Sequence, residues 1–409
     1  MFKVNDHLVL KCSDITNQGM GVAKADRFPF FVEKLLPQEV AEIQITQLKS
    51  KYGFGKIVKL LEAAPTRILP ICPHFNECGG CQIMMLDYKR QLDFKQRSVN
   101  DTLNVETTNI FASPLDLGYR NKMTFRVQKD PFRIGLYKTR SNEIVEIKQC
   151  YLQSDVMNKV LNFIKQSFFN NDFDELVLKQ TLQSELMIIF KGKKVNQSNI
   201  QNLIDAFDDI KSIYVNDELV YGDEVIIEQI NNLKFRISPD SFFQVNTLQT
   251  ANLYQMILDL AKFDSNQTVL DLYCGVGTIS LFISQFVKKV IGVEINQQAI
   301  EDANLNKELN NIDNVEFVLD DATHFLSNLN ETIDTVIVDP PRKGLTTQGI
   351  EDIIKTQAEN VVYVSCNPVT LKRDLDLLSS HYTIKEVKPF DMFPQTSHVE
   401  SVVLMSRTK

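Results

Sequence analysis

Cys366 stands in Val364-Ser365-Cys366-Asn367-Pro368, where an apolar run ends and a proline opens the next segment. A cysteine at the carboxyl end of a strand, just ahead of a helix, is placed for a lowered pKa and for attack as a thiolate. Its plain alternative is a buried structural cysteine. Two carboxylates bear on that choice. Asp339 closes an apolar run and begins Asp339-Pro340-Pro341-Arg342-Lys343-Gly344, and Glu400 lies in the C-terminal tail. A thiol with carboxylates at hand suits covalent catalysis, in which a nucleophile adds and a positioned base later removes a proton. His398, two residues before Glu400, either tunes that base or simply packs.

A second constellation reads Asp271-Leu272-Tyr273-Cys274-Gly275-Val276-Gly277-Thr278. The glycines let a strand-to-helix turn approach a ligand, and the helix that follows points its N-terminus at it. Glu294 ends the next apolar run, where a carboxylate can accept hydrogen bonds from both ribose hydroxyls. A dinucleotide fingerprint needs Gly or Ala three positions after the second glycine. Ser280 stands there, and no cation for a diphosphate is nearby. The turn looks more like the first motif of class I S-adenosylmethionine methyltransferases.

A third group is Cys72, Cys78 and Cys81 in Cys-x5-Cys-Gly-Gly-Cys, with Cys150 far downstream. Four thiolates suit zinc or an iron–sulfur cluster, and spacing alone leaves both open, with a lean to zinc. His74 is a rival ligand. Cys12 and Cys274 read as structural.

Alternating strands and helices must position these residues. From Thr268 onward, strand patterns at 269–273, 290–293, 315–319, 335–338 and 361–364 are separated by helical ones, notably 278–286 and 297–309. That predicts a doubly wound, mainly parallel sheet with ligands at the strands' carboxyl ends. The stretch 398–406 reads as a terminal strand at an antiparallel edge. Residues 1–60 are short strands broken by Gly19 and Gly21, as in a small OB-like β-barrel. Residues 61–235 read as a mixed α+β central domain, whose helical stretch near 87–108 is expected to pack on the catalytic domain, 236–409.

The 409 residues are 44% hydrophobic and 23% charged, enough for two or three globular domains. No apolar run approaches the ~18–20 residues of a membrane span. The N-terminus lacks a secretory core, so no membrane and a cytoplasmic location are expected. Seven cysteines, an odd number, then point to metal or catalysis rather than disulfides. The net charge of −8 argues against blanket attraction to nucleic acid, yet residues 120–148 carry eight basic and three acidic groups.

Taken together the chain resembles the RNA 5-methyluridine methyltransferases of the RumA/TrmA type. The motifs are Ser241-Phe242-Phe243-Gln244-Val245-Asn246, the 271–278 turn, Val293-Glu294-Ile295-Asn296, the 339–344 and 365–368 segments, and Asp391-Met392-Phe393-Pro394-Gln395-Thr396-Ser397-His398-Val399-Glu400. The resemblance implies a class I (Rossmann-like) α/β sheet and S-adenosyl-L-methionine held by Gln244, Tyr273, Glu294 and Asp339, with Asp321 near the adenine. It implies Cys366 as nucleophile toward uracil carbon 6 and Glu400 as the base that takes the carbon 5 proton. It assigns Cys72, Cys78, Cys81 and Cys150 to a 4Fe-4S cluster, and residues 1–60 to an RNA-binding TRAM domain. Tyr119-Arg120-Asn121-Lys122 also matches and opens the basic window. Barrel and cysteines together resemble the 23S ribosomal RNA enzymes more than the transfer-RNA branch, with an unpaired or flipped uridine as target and a monomer as the default. Amino-methyltransferases are disfavoured by Arg342, which replaces their Tyr or Phe after Asp-Pro-Pro. A non-catalytic RNA-binding iron–sulfur protein would not require both Cys366 and Glu400.

Overall fold

Five short strands alternate buried and outward residues and close on themselves. They are β1 (His7–Ile15), β2 (Met20–Ala25), β3 (Phe28–Glu33), β4 (Val40–Leu48) and β5 (Gly53–Glu62), in the barrel order β1-β2-β3-β5-β4. The interior is tight. A Cβ on Gly53 would lie 2.6 Å from the Phe30 ring, and one on Gly55 2.8 Å from Ile43. Cys12 is buried among the barrel's apolar residues. The computed structural model describes residues 2–329 and 331–408.

Helix α1 (Tyr88–Leu103) starts at Asp87, whose side chain accepts from the Arg90 amide, and ends at Asn104 in the left-handed conformation. Such caps satisfy the orphan groups of helix ends. A seven-stranded central sheet follows, built from β6 (Lys122–Lys129), β7 (Phe132–Tyr137), β8 (Ile144–Glu146), β9 (Asp172–Gln180), β10 (Leu186–Lys194), β11 (Ile210–Val215) and β12 (Glu218–Gly222). Its order is β12-β11-β10-β9-β6-β7-β8. Helices α2 (Asp155–Ser167) and α3 (Gln197–Ala206) and the hairpin β13 (Ile226–Ile230)–β14 (Leu233–Ile237) complete this part.

The second seven-stranded sheet follows α4 (Thr247–Ala261). Its strands are β15 (Thr268–Leu272), β16 (Lys289–Glu294), β17 (Val315–Leu319), β18 (Thr335–Val338), β19 (Asn360–Ser365), β20 (Tyr382–Phe390) and β21 (Glu400–Arg407). Helices α5 (Thr278–Ile283), α6 (Gln297–Leu309), α7 (Ala322–Ser327), α8 (Thr347–Thr356) and α9 (Pro368–Leu378) connect them. The order is β17-β16-β15-β18-β19-β21-β20, with the first five strands parallel. Every residue of β15 and β18 is buried, as expected for parallel strands covered on both faces. This is the expected class I sheet.

One expectation is corrected. The terminal strand β21 is not the edge: it lies between β19 and β20, antiparallel to both. Its run Val402-Val403-Leu404-Met405 suits an interior position. The edge is β20, whose Lys385, Glu386, Lys388 and Pro389, with an irregular register near 384–386, are devices that keep an edge from pairing further.

Candidate active site

Register sets the central pair. Tyr363 faces Val403, Val364 faces Val402 and Ser365 faces Ser401. Ser365–Ser401 is the last pair of that ladder; Cys366 follows Ser365, Glu400 precedes Ser401, and Cys366 feels the charge of Glu400. The parallel strands extend the row. Leu272 pairs with both Val293 and Val338, so Tyr273, Glu294 and Asp339 each follow a paired residue at the carboxyl end of adjacent parallel strands. Tyr273, Glu294, Asp339, Cys366 and Glu400 thus gather at one sheet edge.

The surroundings raise the proton affinity of the thiol and of both carboxyls. Burial, then Glu400 and Asp339, push the Cys366 thiol up to about 11, and Arg342 pulls against them. Burial brings the Asp339 carboxyl to about 7. Glu400, 3% exposed, lies well above the usual carboxylate range through burial and the neighbouring Asp339. Burial and the cations Arg342, Lys95 and Arg120 push His398 down to about 4, so its ring is neutral. Its Nδ1 accepts from Arg342 Nη2 at 2.9 Å. His398 therefore orients the guanidinium beside the thiol.

An open cleft of about 500 Å³ runs from this corner to the barrel, lined by Cys366, Arg342 and His398 on one side and by Gly19, Lys34 and Arg140 on the other.

The segment leading into Glu400 is held from behind. Gln395 is buried and has φ +70°, a conformation few non-glycine residues adopt without support. Its amide donates to Gln91 Oε1 at 2.9 Å, its Oε1 accepts from Gln91 Nε2 at 2.8 Å, and its carbonyl accepts from the Gln82 and Ile83 amides at 3.2 Å. Lys95, fully buried in α1, donates to Asp391 Oδ1 at 2.5 Å and to the Phe393 carbonyl at 2.9 Å. None of these supports was anticipated from sequence, because Gln91 and Lys95 lie some 300 residues from their partners.

On the cofactor side, Glu294 accepts from the amides of Gly275 at 3.2 Å and of Ile295 and Asn296 at 2.9 Å. Tyr273 has φ +66° and its amide donates to the Val293 carbonyl. Asp321 caps α7, its Oδ1 accepting from the amides of Thr323 and His324. Gln244 sits in a loop gripped by the central domain. Asn121 Nδ2 donates to the Gln244 carbonyl at 2.9 Å, and Lys179 Nζ to the carbonyls of Ser238 and Ser241 at 2.8 and 3.1 Å. Ser280, a departure from the dinucleotide pattern, donates to fully buried Asp271 at 2.5 Å and ties the turn to α5.

Comparison with known proteins decides the family. Residues 87–408 match the model of the tRNA (uracil-5-)-methyltransferase family, and residues 7–58 match the TRAM domain. The chain belongs to the tRNA (uracil-5-)-methyltransferase family. This enzyme is accordingly an S-adenosylmethionine-dependent RNA (uracil-5-)-methyltransferase. An uncharacterized RNA methyltransferase of Bacillus cereus is 36% identical over 99% of this chain and 97% of its own. One from Staphylococcus aureus is 34% identical over 96% of each. The crystal structure of the Pyrococcus abyssi tRNA (uracil-54, C5)-methyltransferase with S-adenosyl-L-homocysteine superposes with a TM-score of 0.81 at 28% identity, covering 97% of this chain and 99% of that one.

In this methyltransferase Cys72, Cys78, Cys81 and Cys150 are all unpaired thiols and line one small apolar pocket of about 40 Å³, with Met84, Met123 and Leu136. Burial raises all four thiols. Among the described residues, no three His, Cys, Asp or Glu side chains are grouped as a metal ion would require. His74 Nε2 accepts from the Lys148 amide at 3.2 Å. Among the described residues no helix is long and apolar enough to cross a membrane.

Proposed function

We propose that this methyltransferase acts through a covalent adduct, with Cys366 as nucleophile and Glu400 as base. The observation that supports this is that Cys366 and Glu400 flank the last β19–β21 pair and that both feel the charge of Asp339. Carbon 5 of uracil is a weak nucleophile. Addition of the Cys366 thiolate to carbon 6 makes an enolate, and carbon 5 then takes the methyl group. Bound S-adenosylmethionine supplies that methyl as an electrophile. Glu400 removes the carbon 5 proton, and the electrons left behind expel the Cys366 sulfur. Arg342, steadied by His398, favours the thiolate. Gln244, Tyr273, Glu294 and Asp339 hold the cofactor in this reading. Asp321 contributes with the oxygen its helix cap leaves free.

The division of labour follows: residues 1–60 bind RNA, 61–235 carry the cysteine site and grip the Gln244 loop, and 236–409 catalyse, in the cytoplasm and as a monomer. The four cysteines line one apolar pocket without the grouping a metal ion requires, so the 4Fe-4S cluster proposed for them rests on the resemblance of their sequence pattern. Such a cluster, when bound, supplies a rigid cross-link here rather than redox chemistry.

The substrate proposed is an unpaired uridine of 23S ribosomal RNA. A transfer-RNA reading has one observation in its favour: the Pyrococcus abyssi enzyme, named for uracil 54 of tRNA, covers nearly the whole chain, barrel included. Incubation with labelled S-adenosylmethionine and unmodified 23S RNA or transfer RNA, followed by nucleoside analysis, separates them. Label in 5-methyluridine from 23S RNA is expected. Label from transfer RNA alone would move the substrate, and label on a base nitrogen would reject the reaction.

A further inference from the structure

We propose that the outward face of β3 and β5 is a stacking platform for unpaired bases of the RNA that flank the target uridine. Phe31 and Phe54 are paired neighbours in the β3–β5 ladder, and Tyr52 completes a triad. Ring centroids are 5.6 Å apart for Phe31–Tyr52, 5.9 Å for Phe31–Phe54 and 5.5 Å for Tyr52–Phe54. The rings take no part in the barrel core, which Phe30, Val32, Ile43 and Ile45 fill from the inner face. Gly53 and Gly55 occupy the inward positions of β5 and leave Phe54 pointing out. Clustered outward aromatics on a small barrel are the means by which single strands are bound without regard to sequence.

Two further observations select RNA as the occupant. Residues 49–59 contain Lys49, Lys51, Lys56 and Lys59, all exposed, and no acidic residue, in a chain of net charge −8. That strip suits a polyanion. The triad also adjoins the catalytic cleft. Arg140 lines the cleft with Cys366, and its guanidinium lies 4.3 Å from the Phe54 ring centroid. The same side chain meets Met20 Sδ at 2.9 Å and Glu33 at 3.5 Å. A strand leaving the target uridine at Cys366 passes Arg140 and reaches the rings. The proposal rests on the RNA reading above and names where the RNA continues.

The chain contains no tryptophan, so Tyr52→Trp installs a single indole on the platform. Its fluorescence, titrated with single-stranded RNA of about 16 nucleotides, the upper site size of one such barrel, should be quenched as bases stack. Removing a stacking ring costs about 1–3 kcal/mol per base, so Phe31→Ala/Tyr52→Ala should weaken that RNA by roughly 5- to 150-fold. The loss should fall on KM for RNA rather than on kcat, and Tyr52→Phe alone should keep wild-type affinity. An indole unchanged at saturating RNA, together with unaltered affinity in the double variant, would overturn the platform, even if 5-methyluridine is made. Quenching without any 5-methyluridine would instead sink the assigned reaction and leave the platform standing. An indole that responds to a protein partner but not to RNA would also overturn it.

Discussion

Cys366 has surroundings that oppose its own ionisation. In the protein alone burial first of all holds its thiol near 11 and Asp339 near 7, and raises Glu400 well above the usual carboxylate range. A base works only when ionised, and carboxyls with raised pKa values ionise late. The kcat/KM for methylation should therefore climb with pH over a span from about pH 6 to about pH 8, on either side of the Asp339 value. A flat profile over that span would contradict the assignment. Asp271 allows a stability test. Its carboxyl, fully buried, is raised from 3.8 to about 7, so it favours folding below its unfolded pKa and that contribution is lost as pH rises through about 7. Asp271→Asn should raise the melting temperature of the free protein more at about pH 8 than at about pH 5; equal effects would indicate an ionised Asp271. Cys366 and Asp339 were legible in the sequence because each ends an apolar run that could only be a buried strand. The Asp271–Ser280 contact was not, since it depends on a hydroxyl rotamer across a turn.

Helix α1 shows what an element contributes when its partners are remote. Its helical pattern was readable as a polar stretch, but its buried Gln91 and Lys95 gave no clue to what they touch. They hold the 391–399 segment, and that segment leads into Glu400. Lys95→Met leaves Asp391 buried and uncompensated, and should cost roughly 3–5 kcal/mol in denaturant unfolding. Gln91→Leu orphans the Gln395 amide and its Oε1 at about 1–3 kcal/mol for each unsatisfied group, while Nε2 keeps the Asp116 carbonyl. It should lower kcat at least tenfold, a loss of about 1.4 kcal/mol in the transition state, with little change in binding of S-adenosylhomocysteine. Equal losses in both would mean a general collapse rather than a misplaced base. The edge position of β20 escaped the sequence for a related reason. Its charged and proline residues, which an exposed edge needs, carry no strand pattern in the sequence, and the apolar β21 was read as the edge instead.

At the scale of the whole molecule, barrel, cysteine pocket and sheet converge on one cleft. Cys81 is followed by Gln82, whose amide meets Gln395 and whose Oε1 accepts from the Ser397 amide at 3.3 Å. A group held by Cys81 would thus brace the same segment that carries Glu400. Protein purified without oxygen should be brown from sulfur-to-iron charge transfer, and Cys81→Ser should lose both colour and stability; colourless protein with stoichiometric zinc would overturn the cluster. The barrel and the class I sheet were readable because their patterns are local. The convergence was not, because it depends on side chains that meet across three parts of the chain. The central claim is the separation of roles between Cys366 and Glu400. Glu400→Gln, mixed with labelled RNA and S-adenosylmethionine and run on a denaturing gel, should transfer the methyl group and then stall as a slow-migrating protein–RNA band. Adding Cys366→Ala should remove that band. A band that survives without Cys366, or near-normal 5-methyluridine from Cys366→Ala alone, would contradict the mechanism.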